Sequence, residues 1–231
     1  MAMKKACVFD AYGTLFDVNA AAREVAGQPG KEGFSLVWQQ VAQDWRLKQL
    51  QYTWLRTIED RYADFWTLTQ DALDWALEAA DQAEATLREE LLGLYWSLHA
   101  YPEVPKMLAE LSDKGIQAAI LSNGTKDMLA AAVDNAGIGG ELSAVLSVED
   151  VGVYKPAREV YDMVGDALGT EPDEVLFVSS NGWDAAGAAA YGFDTLWVNR
   201  AGEPMDRLPG RPERVAGDLA GVAGIAAGSA G

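Results

Sequence analysis

Four short apolar runs constrain this chain more than any other feature: Ala6-Cys7-Val8-Phe9, Ala118-Ala119-Ile120-Leu121, Val175-Leu176-Phe177-Val178 and Thr195-Leu196-Trp197-Val198. None alternates apolar with polar residues, and each is bounded by polar or glycine-containing sequence. A half-exposed strand alternates, whereas a strand covered on both faces does not, so the runs predict parallel strands sandwiched between helices. Ala144-Val145-Leu146 is a weaker fifth candidate. Helical segments over 126–136, 157–168 and 183–191 have the length of crossovers. Repeated strand–helix alternation predicts an α/β fold, a Rossmann-like doubly wound parallel sheet.

The first two runs are separated by about a hundred residues, far more than one crossover needs. Within that interval 34–100 is almost free of Gly and Pro, and apolar residues recur at helical spacing: Trp38, Val41, Trp45, then Leu73, Leu77 and Ala80. It predicts an inserted helical cap subdomain over 16–100, with an α/β core made of 1–15 and 101–231. Pro102 marks the return to the core, followed by a helix over 103–114 that Gly115 ends. The tail from Gly202 is rich in Gly, Pro and Ala, and 226–231 are expected to fray.

With 231 residues the chain can bury one sizeable core and an insertion. Its net charge of −17 repels phosphate backbones, which argues against a nucleic-acid partner and is compatible with a saline habitat. No apolar run approaches the roughly 18 residues of a membrane span. Met1-Ala2-Met3-Lys4-Lys5 leads at once into the first strand, which is too short for a signal peptide, so a cytoplasmic location is expected. Cys7, the only cysteine, reads as an inert core thiol. His99 is the only histidine, so no Ser-His-Asp triad exists, and it reads as structural.

Ligands of an open parallel sheet bind beyond the carboxyl ends of its strands. The residues found there are Asp10-Ala11-Tyr12-Gly13-Thr14, Ser122-Asn123-Gly124-Thr125, Gly152-Val153-Tyr154-Lys155-Pro156 and Ser179-Ser180-Asn181-Gly182-Trp183-Asp184. Two carboxylates, one lysine and several hydroxyl and amide groups therefore converge on one edge from four distant segments. A carboxylate beside a cation stays ionised and can act as a nucleophile.

Asp-x-x-Gly-Thr after the first strand, Ser-Asn after the second and Lys-Pro after the third resemble the haloacid dehalogenase superfamily over the whole chain, helical cap included. Phe9-Asp10-Ala11-Tyr12-Gly13-Thr14-Leu15-Phe16, Trp45-Arg46-Leu47-Lys48-Gln49-Leu50 and Ser179-Ser180-Asn181-Gly182-Trp183-Asp184 are similar to the L-2-haloacid dehalogenases within it. The resemblance implies hydrolysis of L-2-haloalkanoic acids to D-2-hydroxyalkanoic acids through an ester on Asp10, with Arg46 receiving the halide. It implies no metal and no other cofactor, and a homodimer that meets through Trp- and Leu-rich cap helices. By the same resemblance Thr14 fixes the Asp10 rotamer, Lys155 keeps Asp10 ionised, and Ser122 and Asn123 hold the substrate carboxylate. Asp184, with Ser179, Asn181 and Lys155, orients the hydrolytic water, and Tyr161 hydrogen-bonds into that network. Ala11, Tyr12, Leu50, Phe65 and Trp183 surround the substrate's alkyl group. From the residues alone, Thr14 also reads as a helix N-cap, Arg46 as an exposed helix arginine, and Tyr161 and the other aromatics as core.

Two departures separate this chain from the superfamily's phosphatases. They carry an Asp two residues after the nucleophile, as acid for an alkoxide leaving group; here it is Tyr12, and halide leaves without a proton. Ser180 stands where a magnesium-binding Asp would align. Hydrolysis of a strained C–N bond, as in azetidine-2-carboxylate hydrolase, stays open as an alternative. A silent binding protein on the same fold would be expected to lose Asp10, Lys155 or Asp184, and all three are present.

Overall fold

The computed structural model describes residues 2–228. Its sheet has six parallel strands: β1 (Ala6–Phe9), β2 (Gln117–Ser122), β3 (Ala144–Ser147), β4 (Val175–Ser179), β5 (Asp194–Val198) and β6 (Arg214–Ala216). They lie in the order β3-β2-β1-β4-β5-β6. All five apolar runs fall inside strands, and every residue of β1, β4 and β5 is buried. β6 is an edge strand of three residues with Val215 52% exposed. It carries no buried-strand signal, and it is held by β5 pairing and by Arg214, which pairs with Asp194.

Five helices lie between β1 and β2 before the return to the sheet: α1 (Ala20–Ala26), α2 (Glu32–Ser35), α3 (Trp38–Ile58), α4 (Phe65–Ala79) and α5 (Ala85–Trp96). α3 packs chiefly along α4. Asp64 caps α4, accepting from Thr67 N–H at 2.9 Å and Thr67 Oγ1 at 2.7 Å. The buried Trp45 indole donates to Thr69 O at 2.8 Å, locking α3 to α4 at the level of Arg46. At its far end α3 is tied to the core, since Tyr154 N–H donates to Thr57 Oγ1 at 3.2 Å.

The chain then alternates as expected through α6 (Val104–Asp113), α7 (Lys126–Ala136), α8 (Arg158–Leu168) and α9 (Gly182–Tyr191), and closes with α10 (Val222–Ala226). Gly115, at φ 68°, turns the chain out of α6 in the left-handed region, the expected helix stop. Fraying does not begin at Ala226: its carbonyl accepts from Lys4 N–H at 2.8 Å and the residue is fully buried. The rest of that expectation, 229–231, lies outside the described residues.

Strand order reverses at β1, whose neighbours β2 and β4 lead off in opposite directions. The loops after β1, β2 and β4 therefore diverge around one crevice, the position where such sheets bind ligands.

The loop after β2 is anchored by Thr125, whose Oγ1 accepts from Met128 N–H at 3.2 Å as the N-cap of α7. Thr125→Ala is expected to cost about 1 kcal/mol in urea unfolding. No loss would transfer the anchoring role to the Lys126 N–H···Glu149 bond of 2.6 Å.

Candidate active site

Asp10 leaves β1 with its N–H still in the sheet, donating to Val178 O at 3.0 Å, and the residue is only 6% exposed. Oδ2 accepts from Thr14 Oγ1 at 2.9 Å and Asn181 Nδ2 at 2.8 Å, and Oδ1 accepts from Lys155 Nζ at 3.2 Å. The turn that brings Thr14 back to Asp10 passes through Gly13 at φ 92°, a conformation open to glycine at little cost. Thr14 caps no helix, since α1 begins at Ala20.

Lys155 Nζ also donates to Asp184 Oδ2 at 2.9 Å, so one ammonium bridges both carboxylates. Asp184 lies in the first turn of α9, wholly buried, and its Oδ1 accepts from Tyr161 Oη at 2.8 Å. Asn123 spends its Oδ1 on Lys155 N–H at 3.1 Å, which leaves Nδ2 as its free donor. Ser122 Oγ accepts from Gly124 N–H at 3.0 Å and Ser179 Oγ from Asn181 N–H at 3.1 Å, each shaping the loop it begins.

From α3, Arg46 reaches down to the sheet edge. It donates to Tyr12 O and Asn181 Oδ1, both at 3.1 Å, and to Gln49 Oε1 at 2.8 Å. It is therefore not an exposed helix arginine. Gln49 is itself buried and clamped, donating to Thr69 Oγ1 at 2.7 Å and Tyr95 Oη at 3.1 Å. Tyr12 packs between Phe65 and Tyr95 with ring centroids 5.7 and 5.8 Å away. Ala11 is fully buried, and Leu50 is buried one turn beyond Arg46. Trp183 does not join the Tyr12 stack; it meets Trp54 edge-on at 5.3 Å.

A model of the haloacid dehalogenase-like hydrolases matches residues 4–192. The chain belongs to that family. Among similar proteins are (S)-2-haloacid dehalogenase 1 of Pseudomonas sp. (strain CBS-3), 44% identical over 87% of each chain, and (S)-2-haloacid dehalogenase 4A of Burkholderia cepacia, 42% identical over 87% of this chain and 86% of that one. The solved L-2-haloacid dehalogenase of Xanthobacter autotrophicus with chloropropionic acid covalently bound superposes with a TM-score of 0.87 and is 36% identical, covering 99% of this chain and 100% of its own.

Charge in this family member's site is set by competition between burial and pairing. Burial alone would lower the Lys155 pKa, but Asp10 and Asp184 outweigh it and hold the ammonium above its ordinary value. Burial raises Asp184, and Lys155 only partly offsets that. Burial, then Asp184, pushes the Tyr161 phenol far above its usual range, and burial with Tyr95 does the same for Tyr12, so both stay neutral. Cys7 is buried in β1 and its thiol is likewise pushed up by burial, in keeping with an inert core residue. His99 is exposed, its carbonyl accepting from Asp17 N–H at 3.2 Å.

Sequence reading missed three members of the cluster. Ser180 donates its N–H to Thr14 Oγ1 at 2.8 Å; Gln49 and Tyr95 orient Arg46. For Gln49 a signal existed: a polar residue three positions from Arg46, on the face of α3 where Val41 and Trp45 are buried.

Removing the shared cation strands two buried carboxylates. Lys155→Met is expected to lose about 3–5 kcal/mol of unfolding stability at pH 8. Burial already raises Asp184, and without the ammonium nothing offsets that rise above the unfolded value of about 3.9. The folded protein then binds the extra proton, so the deficit should shrink as pH falls toward 5. Urea titrations at both pH values check it, and a deficit independent of pH would show that the carboxylates do not depend on Lys155.

Proposed function

We propose that this chain is a hydrolytic dehalogenase converting L-2-haloalkanoic acids to D-2-hydroxyalkanoic acids through an ester on Asp10. One observation carries the reading: Asp10, paired with the Lys155 ammonium and bound by Thr14 and Asn181, lies in the same network as the Arg46 guanidinium, which shares Asn181 with it. The relatives' activity supplies the substrate class.

Oδ2 already takes two donors and Oδ1 only one, so we assign Oδ1 to in-line attack on the halogen-bearing carbon. Charge then develops on the departing halide, and a positioned cation that meets it there lowers the barrier most. Arg46 is that cation, held in place by Gln49 and Tyr12 O rather than recruited during reaction. Ser122, through its hydroxyl, and Asn123, through Nδ2, are assigned to the substrate carboxylate, with Ala11, Tyr12, Leu50, Phe65 and Trp183 around the alkyl group. Asp184, with Lys155, Ser179, Asn181 and Tyr161 around it, takes a proton from the water that hydrolyses the ester.

Magnesium, used by phosphatases of this fold, does not suit the residues present. The Lys155 ammonium already bridges the two carboxylates, and Ser180 Oγ lies 3.1 Å from Thr14 Oγ1. We therefore assign a metal-independent reaction. We divide the chain into a core of 1–15 and 101–231 and a cap of 16–100, supported by the helical insertion and by the reach of Arg46 from it. We assign it to the cytoplasm, in line with the lone buried thiol. We also assign a homodimer meeting through α3 and α4, where Leu47, Leu55, Ile58 and Trp75 are 58, 45, 80 and 40% exposed.

Wild type should release halide from L- but not D-2-chloropropionate, unaffected by chelator, and Asp10→Asn should lower the rate on the order of 10⁴-fold or more. Halide from neither enantiomer would sink the reading and turn attention to azetidine-2-carboxylate, then phosphate esters. Ile58→Glu should shift sedimentation from dimer to monomer; an unchanged dimer would place the interface elsewhere.

A further inference from the structure

Beside Tyr161 lies a cavity of about 320 Å³ that the reading above does not use, lined by Pro156, Tyr161, Trp183, Gly187, Leu208 and Pro209 among others. Solvent reaches it, because Leu208 is 48% exposed and the Arg158 side chain, which also lines it, is 71% exposed. Tyr161 lines it although the residue is only 1% exposed, and Gly187 lies directly against its phenol. A Cβ there would come within 2.7 Å of Tyr161 Oη and 2.8 Å of Pro156 Cβ.

The chemistry proposed for the site creates a need for such an opening. Attack of Asp10 on the substrate releases X⁻, and hydrolysis of the ester consumes one water. One of that water's protons ends in the product hydroxyl, the carboxylate of Asp10 is regenerated, and the other proton is left over at each turnover. Asp184 receives it while wholly buried. Its side-chain partners are Lys155 Nζ at 2.9 Å and Tyr161 Oη at 2.8 Å. An ammonium has no lone pair with which to accept; a phenol can accept and donate at once.

Resting on the dehalogenase reading, we propose that Tyr161 passes the surplus proton from Asp184 to water in this cavity, and that the cavity is the proton's exit. Oη accepts the proton from the Asp184 carboxyl as its own O–H proton moves to a cavity water and on to solvent, restoring the Asp184 carboxylate for the next turnover. The other charged and titratable groups around Tyr161 are compatible with a neutral relay: Lys155 beyond Asp184, Tyr191 with its ring 5.5 Å away, and Arg158 over the Tyr191 ring at 4.8 Å. The phenol itself does not ionise, because burial and the Asp184 charge hold its proton.

The test mixes enzyme rapidly with excess L-2-chloropropionate, following halide by chemical quench and protons with a pH dye. In Tyr161→Phe the halide burst should persist, while steady turnover and proton release fall by at least about tenfold. Imidazole or formate should restore turnover in proportion to its concentration, an effect that loss of a purely structural contact would not show. Leu208→Trp, narrowing the cavity mouth, should weaken that rescue in the Tyr161→Phe background. Unchanged turnover in Tyr161→Phe, or slow turnover that small buffers do not rescue, would overturn the relay; rescue that Leu208→Trp leaves intact would overturn the cavity as exit. A wild type that releases no halide at all would instead overturn the dehalogenase reading on which the relay rests.

Discussion

Two carboxylates and one ammonium lie together inside this molecule, with Asp10 6%, Asp184 0% and Lys155 1% exposed, and much of the architecture can be read as what makes that tolerable. Isolated, any one of the three would be expelled to water or neutralised, since desolvating an ion costs several kcal/mol. Lys155 bonds to both acids, and further lone pairs are met by Thr14, Asn181 and Tyr161. Such a cluster is poor evidence for stability, because well-packed apolar residues of the same volume often do better. Its presence is better explained by chemistry that needs a desolvated but ionised carboxylate. The donors come from the segments after β1, β3 and β4 and from α8, so the cluster depends on the sheet's strand order rather than on any one element.

The order of the strands was largely open in the sequence, but the strands themselves were not. β1, β4 and β5 are buried on both faces, and continuous apolar runs signal that environment directly. β6 gave no such signal because an edge strand with Val215 exposed looks like any polar-flanked loop. α1 was missed for a related reason, being seven residues long with no capping side chain. In the site, residues that follow strands were legible, since β-strand ends aim at one crevice whatever the crossover length. The bonds of Gln49 to Thr69 and Tyr95 were not, because they span 20 and 46 residues and exist only once α3, α4 and α5 are packed.

That buried bridge also bears on how an acidic chain handles an anionic substrate. A net charge of −17 opposes the approach of a carboxylate at long range, but salt screens such fields over about 8–10 Å. In the proposed reaction, what acts at short range is the local set: the Lys155 ammonium, the Arg46 guanidinium and the amide of Asn123. Because Arg46 is bonded to Tyr12 O, Asn181 and Gln49 already, its geometry needs little reorganisation when charge appears on a leaving group.

Arg46 is also where the helical insertion and the sheet become one device. It springs from α3, yet two of its three hydrogen bonds end on the loops after β1 and β4. Asn181 receives the guanidinium at Oδ1 and donates from Nδ2 to Asp10. The Arg46 guanidinium and the Asp10 carboxylate are thus joined through a single amide. A displacement of α3 would break the Arg46 bond and free Asn181 to turn, changing the hydrogen bonding of Asp10 as well. The insertion's position therefore bears on the environment of Asp10, and the tie between Thr57 and Tyr154 at the other end of α3 restrains the same helix against the segment that carries Lys155.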